Sequence, residues 1–472
     1  MNFIDKDLSS VQEARILSEN AGATQRLLFA YETKFFDKAF DSVYHYIDRN
    51  LHELSKMFVE ESGYGNYEDT YKISKLFLDA LYNKVCGENV IGEFEGGSKI
   101  GVPMGGIILI PSPKNTLLFM INTVLLAIKT GNVLIIVTEK RVQKLTQKFV
   151  EIVREALQAE DYPQDFVSCF KESCSEGIKE IVKSKKLAVI INAGNKEYLS
   201  ECLLAGKVFY YGSTGASPVF IERTADIKPA IKDIVYSRKF NHGILPGAEQ
   251  FLVVDEPVIN EVNRELKKNS CYFMTPEDEK KLLNVLIHKD KMDEEKIGKS
   301  AYKLALEAGF EVPVETTLLV SYQEYISEVN SYTKELNVPV LVVYKEADWL
   351  HACEKCIKIL TTEHDGHSLS IYSKDPEVIR QFAIKKPVGR VMVNTNTSFS
   401  AMGIGTHIYP SAILGAFTRG IGVLSSNLTP DHLVYVRDVV RGKENETYGG
   451  SKESDEYMVD DFLALLAKII EK

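Results

Sequence analysis

At 472 residues, 45% of them hydrophobic and 26% charged, the chain has the make-up of a globular protein of two or three domains, not of a disordered one. Its 56 Lys and Arg against 66 Asp and Glu give a formal charge of -10, with no basic stripe interleaved with aromatics, so no nucleic-acid partner is expected. The opening "MNFIDKDLSSVQEAR" lacks a basic region followed by an apolar core, and the longest nearly apolar run, Thr116 to Ile128, falls short of the about 20 residues a bilayer span needs; a cytosolic protein with no membrane contact is expected.

Taken in chain order, "DLSSVQEARILSENAGATQRLLFAY" predicts a helix, with Ser10 and Glu13 as a capping box, and "LHELSKMFVEESG" a second helical block. From about residue 105 short apolar runs alternate with amphipathic stretches: "GGIILIP", "NTLLFMINTVLLAIKTG", "NVLIIVT", "QKLTQKFVEIVREALQ", "LAVIINAG", "KEYLSECLLAG", "KVFYYG", "PVFIE". That alternation predicts a parallel sheet with crossover helices over Gly105 to Glu222, ligands binding at the carboxyl ends of the strands where "IPSPKN" and "VTEKR" fall. The glycine-rich "YGSTGAS" lacks the full G-x-G-x-x-G of a dinucleotide fingerprint. A second α/β run follows Ser237, with the join placed near Tyr236. The polar "RGKENETYGGSKESDE" predicts a linker, and "YMVDDFLALLAKIIEK" an amphipathic helix carrying Met458, Phe462, Leu465 and Ile469 on one face. Docking on its own domain and binding a partner remain equal readings of that helix. The seven cysteines are scattered; Cys353 and Cys356 in "CEKC" have metal-ligand spacing but no second pair to complete a site, so ordinary packing cysteines and no metal are expected.

The order of segments from "DKDLSSVQEAR" through "SRKFNHGILPGAEQ" and "EHDGHSLSIYS" to "LTPDHLVYVRDVV" resembles the CoA-acylating aldehyde dehydrogenases over roughly residues 5 to 440. The resemblance implies an α/β fold of aldehyde-dehydrogenase type: a helical N-terminus and Rossmann-like nucleotide-binding domain (1–236), a catalytic-type α/β domain (237–415), and a return with an oligomerisation strand (416–441), before the linker (442–456) and terminal helix (457–472). It also implies a homo-oligomer, an aldehyde or acyl-CoA substrate, NAD as cofactor with NADP as the other choice, and coenzyme A as co-substrate. In such enzymes a cysteine thiolate attacks the aldehyde, hydride leaves to the nicotinamide, and the CoA thiol resolves the thioester. An asparagine amide and the cysteine's own backbone N–H hold the oxyanion.

By the same resemblance Asn115 stands at the oxyanion asparagine, Gly215 in the glycine-rich turn, Glu335 at the ribose-binding glutamate, and His367, after Gly366, beside the active site. Lys114 and Thr116 flank Asn115 where the family has Thr and Pro; Thr138, Glu139 and Lys140 replace its Pro-His-Pro loop, and Glu139, just after the strand "NVLIIVT", is placed to prefer NAD over NADP while Lys140 and Arg141 pull the other way. Pro246 occupies the position of the catalytic cysteine. Proline carries neither a thiol nor a backbone N–H, so it removes the nucleophile and one oxyanion donor together. Three readings follow: a protein that has lost thioester chemistry and binds a nucleotide or CoA or assembles with active relatives; an oxidoreductase with a relocated or non-covalent mechanism; and a structural or cargo protein of a bacterial microcompartment, in which the terminal helix meets a shell or enzyme partner.

Overall fold

The computed structural model describes residues 5–29, 31, 33–171, 173–212, 215–327, 329–362, 367–416 and 423–441. The linker and terminal helix of the sequence reading lie outside the described residues.

Three helices open the chain: Lys6–Leu28, Thr33–Ser62 and Tyr67–Val85. The first is capped by Asp5, whose carboxylate accepts the N–H groups of Asp7 (3.0 Å) and Leu8 (3.2 Å). The expected Ser10–Glu13 capping box is therefore not one. Both residues lie inside the helix and turn outward to the neighbouring loop, Ser10 Oγ accepting from the N–H of Cys174 and Glu13 from that of Lys171. In the second helix Phe36, Phe40, Val43, Ile47, Leu51, Leu54 and Phe58 recur every three or four positions and bury one face.

The first sheet is five-stranded and wholly parallel, in the order Val167–Cys169, Leu134–Ile136, Ile107–Pro111, Val189–Ala193, Val208–Gly212. Its strands are buried on both faces, as the continuous Ile, Leu and Val runs require. Strand order reverses beside Ile107–Pro111, which makes the loop after that strand the natural crevice of the domain. The second sheet has seven parallel strands, in the order Cys271–Phe273, Leu318–Tyr322, Val340–Glu346, Glu249–Asp255, Ser217–Ile221, Ser368–Tyr372, Arg390–Val393.

The run "PVFIE" thus belongs to the second sheet, not the first. A short apolar strand reads the same in either sheet, and only its partners, Glu249–Asp255 and Ser368–Tyr372, decide. Helix Ile227–Lys239 packs on that second sheet too, so the chain crosses between domains before Ser217 and not near Tyr236. It is back against the first core from Phe399 onward. A small antiparallel sheet, Gly92–Phe94, Lys99–Pro103 and Val434–Asp438, leaves the last strand at an edge with Tyr435 and Val436 exposed. Among the described residues no helix is long and apolar enough to cross a membrane.

Candidate active site

The carboxyl ends of the first sheet face the amino ends of the second across a cleft. From the first come Lys114, Asn115 and Gly194; from the second come Gly215, Pro246, Glu335 and His367, each in the loop that enters a strand. The structure so gathers five of the six residues singled out from sequence. Glu139 is apart, after strand Leu134–Ile136, where its carboxylate accepts from the side-chain amide of Asn195 at 2.6 Å. Burial, with the charge of Glu197 adding to it, pushes the Glu139 carboxyl up to about 7.

Residues Leu245 to Ala248 form a tight turn closed by Ala248 N–H to Leu245 O at 3.2 Å, with Pro246 and then Gly247, at φ +75°, in the middle. Proline followed by a residue of positive φ is the chemistry of a type II turn. A Cβ on Gly247 would also lie 3.1 Å from His367 Cε1. The Pro-Gly dipeptide was the local signal of this turn.

Asn115 precedes helix Thr116–Lys129, yet its side chain makes no cap bond; its amide donates across the cleft to the carbonyl of Ile244 at 2.8 Å. The group that would hold an oxyanion is spent on the loop that carries Pro246. His367 is buried, one ring nitrogen 3.0 Å from Gly215 O and the other 3.0 Å from Ser368 Oγ. Glu335 accepts the N–H of Gly215 at 3.2 Å and faces Lys114 Nζ at 3.7 Å, while Asn337, its amide oriented to suit both, accepts from Lys114 at 2.8 Å and donates to Glu335 at 3.3 Å. Lys114 and Asn337 thus tie the two domains across the cleft. Sequence reasoning noted Lys114 only as a departure, and missed Asn337 and the carbonyl of Ile244, because pairing between distant loops leaves no local pattern. The space left between these side chains is narrow, about 30 Å³, and opens to solvent.

Two buried polar residues support the turn from below. Arg238 donates to the carbonyls of Val338 (2.6 Å) and Val340 (2.9 Å), and Glu249 accepts from the Ser237 hydroxyl and the Thr397 N–H. Full burial pushes the Glu249 carboxyl up to about 7. The folded protein holds this proton more tightly than the unfolded chain, where the group titrates near 4.5, so its contribution to stability is full below about pH 4.5 and is lost as pH rises to about 7, on the order of 3 kcal/mol. Urea midpoints should fall across that window, and Glu249→Gln should flatten the fall; an unchanged slope in the variant would refute the assignment.

The model of the aldehyde dehydrogenase family matches residues 37–406. The chain belongs to the aldehyde dehydrogenase family. Several of its relatives within that family are acylating or acetylating in name. The bifunctional aldehyde-alcohol dehydrogenase AdhE of Escherichia coli (strain K12) is 27% identical over 93% of this chain, which spans half of that protein's length. The acetylating succinate-semialdehyde dehydrogenase of Clostridium kluyveri is 25% identical over 91% of this chain and 96% of its own. The crystal structure of an acetylating aldehyde dehydrogenase from Geobacillus thermoglucosidasius superposes with a TM-score of 0.90 at 28% identity, covering 94% of this chain and 99% of that one.

Proposed function

We propose that this chain is a pseudoenzyme of the acylating branch, its fold kept and its thioester chemistry gone. Pro246 carries the reading, because a proline at the first central position of the turn offers the cleft neither a thiol nor an N–H. The occupied amide of Asn115 supports it from the other side of the cleft.

A relocated nucleophile has little support. Cys271 begins the outermost strand of the second sheet, and Cys353 and Cys356 are buried in helix Trp349–Thr362, none of them lining the cleft. Burial pushes the thiols of Cys271 and Cys356 up to about 12, which keeps them protonated and unreactive.

The residues present do not fit a dinucleotide. Phosphates need free N–H groups at helix amino ends, yet the amino end of helix Gln143–Gln158 is filled by the Glu61 carboxylate, bound to the N–H groups of Lys144 (2.7 Å) and Leu145 (2.8 Å). After strand Val189–Ala193, Asn195 N–H is taken by the Asn192 side chain and Glu197 N–H by the Asn195 side chain, with the carboxylates of Glu139 and Glu197 close by. Glu335, the expected ribose ligand, is held by Gly215, Lys114 and Asn337. Isothermal titration of the full chain with NAD+ and with NADP+ should accordingly give no saturable heat up to millimolar ligand. Micromolar binding of either nucleotide would overturn this part of the reading. The role left to the chain is non-catalytic, as an assembly partner of active relatives.

A further inference from the structure

The second sheet has a crevice of its own, at the ends of its strands away from the cleft. Helices Ile227–Lys239 and Ile259–Lys268, which leave strands Ser217–Ile221 and Glu249–Asp255, pack on one face of the sheet, while Trp349–Thr362 and Pro376–Lys385, which leave Val340–Glu346 and Ser368–Tyr372, pack on the other. The neighbouring strands Ser217–Ile221 and Ser368–Tyr372 therefore send their connections apart. Open α/β sheets bind ligands outside the carboxyl ends of the strands at such a point. The other place where connections diverge, between Glu249–Asp255 and Val340–Glu346, is closed by Arg223 on Asp255 (2.6 Å) and Lys345 on Glu256 (2.7 Å). At the first the structure leaves a cavity of about 320 Å³.

One wall of that cavity is a single face of helix Ile227–Lys239 and its capping residue: Asp226, Pro229, Ala230 and Asp233, spaced i, i+3, i+4 and i+7. The end of strand Ser368–Tyr372 adds Tyr372 and Lys374. Asp233 accepts from the Tyr372 hydroxyl (2.6 Å) and the Asn396 amide (2.7 Å), both neutral donors, and forms no ion pair among the described residues. Asp226 takes the ammonium of Lys374 at 2.6 Å. That pair shows that this end of the cavity accepts an alkylammonium, and with both side chains more than half exposed it is worth little, so an incoming ammonium displaces Lys374 at small cost. Two carboxylates two helical turns apart, about 10 Å, with an apolar strip between them, suit a chain that carries a positive charge at each end. We propose that this crevice binds a short aliphatic diamine, one ammonium on Asp233, the other on Asp226, and the methylenes along Pro229, Ala230 and the Tyr372 ring. The site does not depend on whether the cleft is catalytic.

The test is isothermal titration of the full chain with 1,4-diaminobutane and, as the singly charged control, n-butylamine. Saturable binding of the diamine at a single site is expected, with the monoamine at least about tenfold weaker because it leaves one carboxylate without a cation. Asp226→Asn, at a position whose side chain makes no cap bond to the helix, should remove that advantage while the fold is kept. Lys374→Met should strengthen diamine binding by clearing Asp226 of its rival. No saturable heat with the diamine up to millimolar concentration, equal affinities for diamine and monoamine, or diamine binding unchanged in both Asp226→Asn and Lys374→Met would each overturn the proposal.

Discussion

Pro246→Cys is expected to yield an acyl-enzyme on exposure to acyl-CoA, whereas Pro246→Ala and the natural chain yield none. Cysteine restores the thiol and the backbone N–H at one stroke; alanine restores the N–H alone. The position suits the experiment, since Pro246 sits at a turn whose positive φ is carried by Gly247, so a cysteine meets no backbone strain there. Its thiol would stand in the cleft with Asn115 and His367. Once that chemistry exists, the Asn115 amide can be tested in turn: because it is bound to Ile244 O, adding Asn115→Ala to Pro246→Cys should leave the acylation rate little changed, and a slowing of ~10²–10³, the usual effect of losing one oxyanion donor, would show that the amide is released to the cleft. The rate of mass gain in intact protein reads both effects. Equal labelling of the cysteine and alanine variants would remove the nucleophile from the explanation.

The largest effect on stability is expected at Arg238. Its guanidinium is wholly buried, and it binds Gln250 Oε1 at 3.2 Å besides the carbonyls of Val338 and Val340. Gln250 in turn accepts the N–H of Leu336 (3.0 Å) and donates to Lys334 O (2.7 Å), so the two side chains hold the whole segment that carries Glu335 and Asn337. Burial draws the guanidinium down to about 10, against the favourable charges of Glu335 and Glu249. Arg238→Met leaves two carbonyls and an amide oxygen without this donor and should cost about 3–5 kcal/mol, seen as a lower urea midpoint at unchanged slope. Arg238→Lys keeps the charge without the fork and should fall between. A loss under about 1 kcal/mol in Arg238→Met would show that water replaces the guanidinium.

Why some of this was legible in the sequence and some not follows from where each signal lives. The first sheet announced itself through runs such as "GGIILIP" and "LAVIINAG", whose length and flanking glycines follow from burial on both faces. The gathering of Asn115, Gly215, Pro246, Glu335 and His367 came through the resemblance, because residues on five separate loops share no spacing. "PVFIE" was assigned to the wrong sheet since pairing is decided by partners. Ser10 and Glu13 imitated a cap because a helix interior can carry the same letters when a loop supplies the donors. Nothing local foretold that Lys114 would bridge to Glu335 and Asn337 or that Glu61 would fill a helix end; each is a contact between distant segments.

The most direct test of the central claim is a single assay of the unmodified protein: CoA-dependent aldehyde oxidation followed by NADH formation, with intact-mass spectrometry of the same sample after exposure to acyl-CoA. The expected result is no turnover and an unshifted mass. Steady turnover with an acyl group added, persisting in Pro246→Ala and abolished when Cys271, Cys353 or Cys356 is changed to alanine, would show that the nucleophile has moved and not vanished.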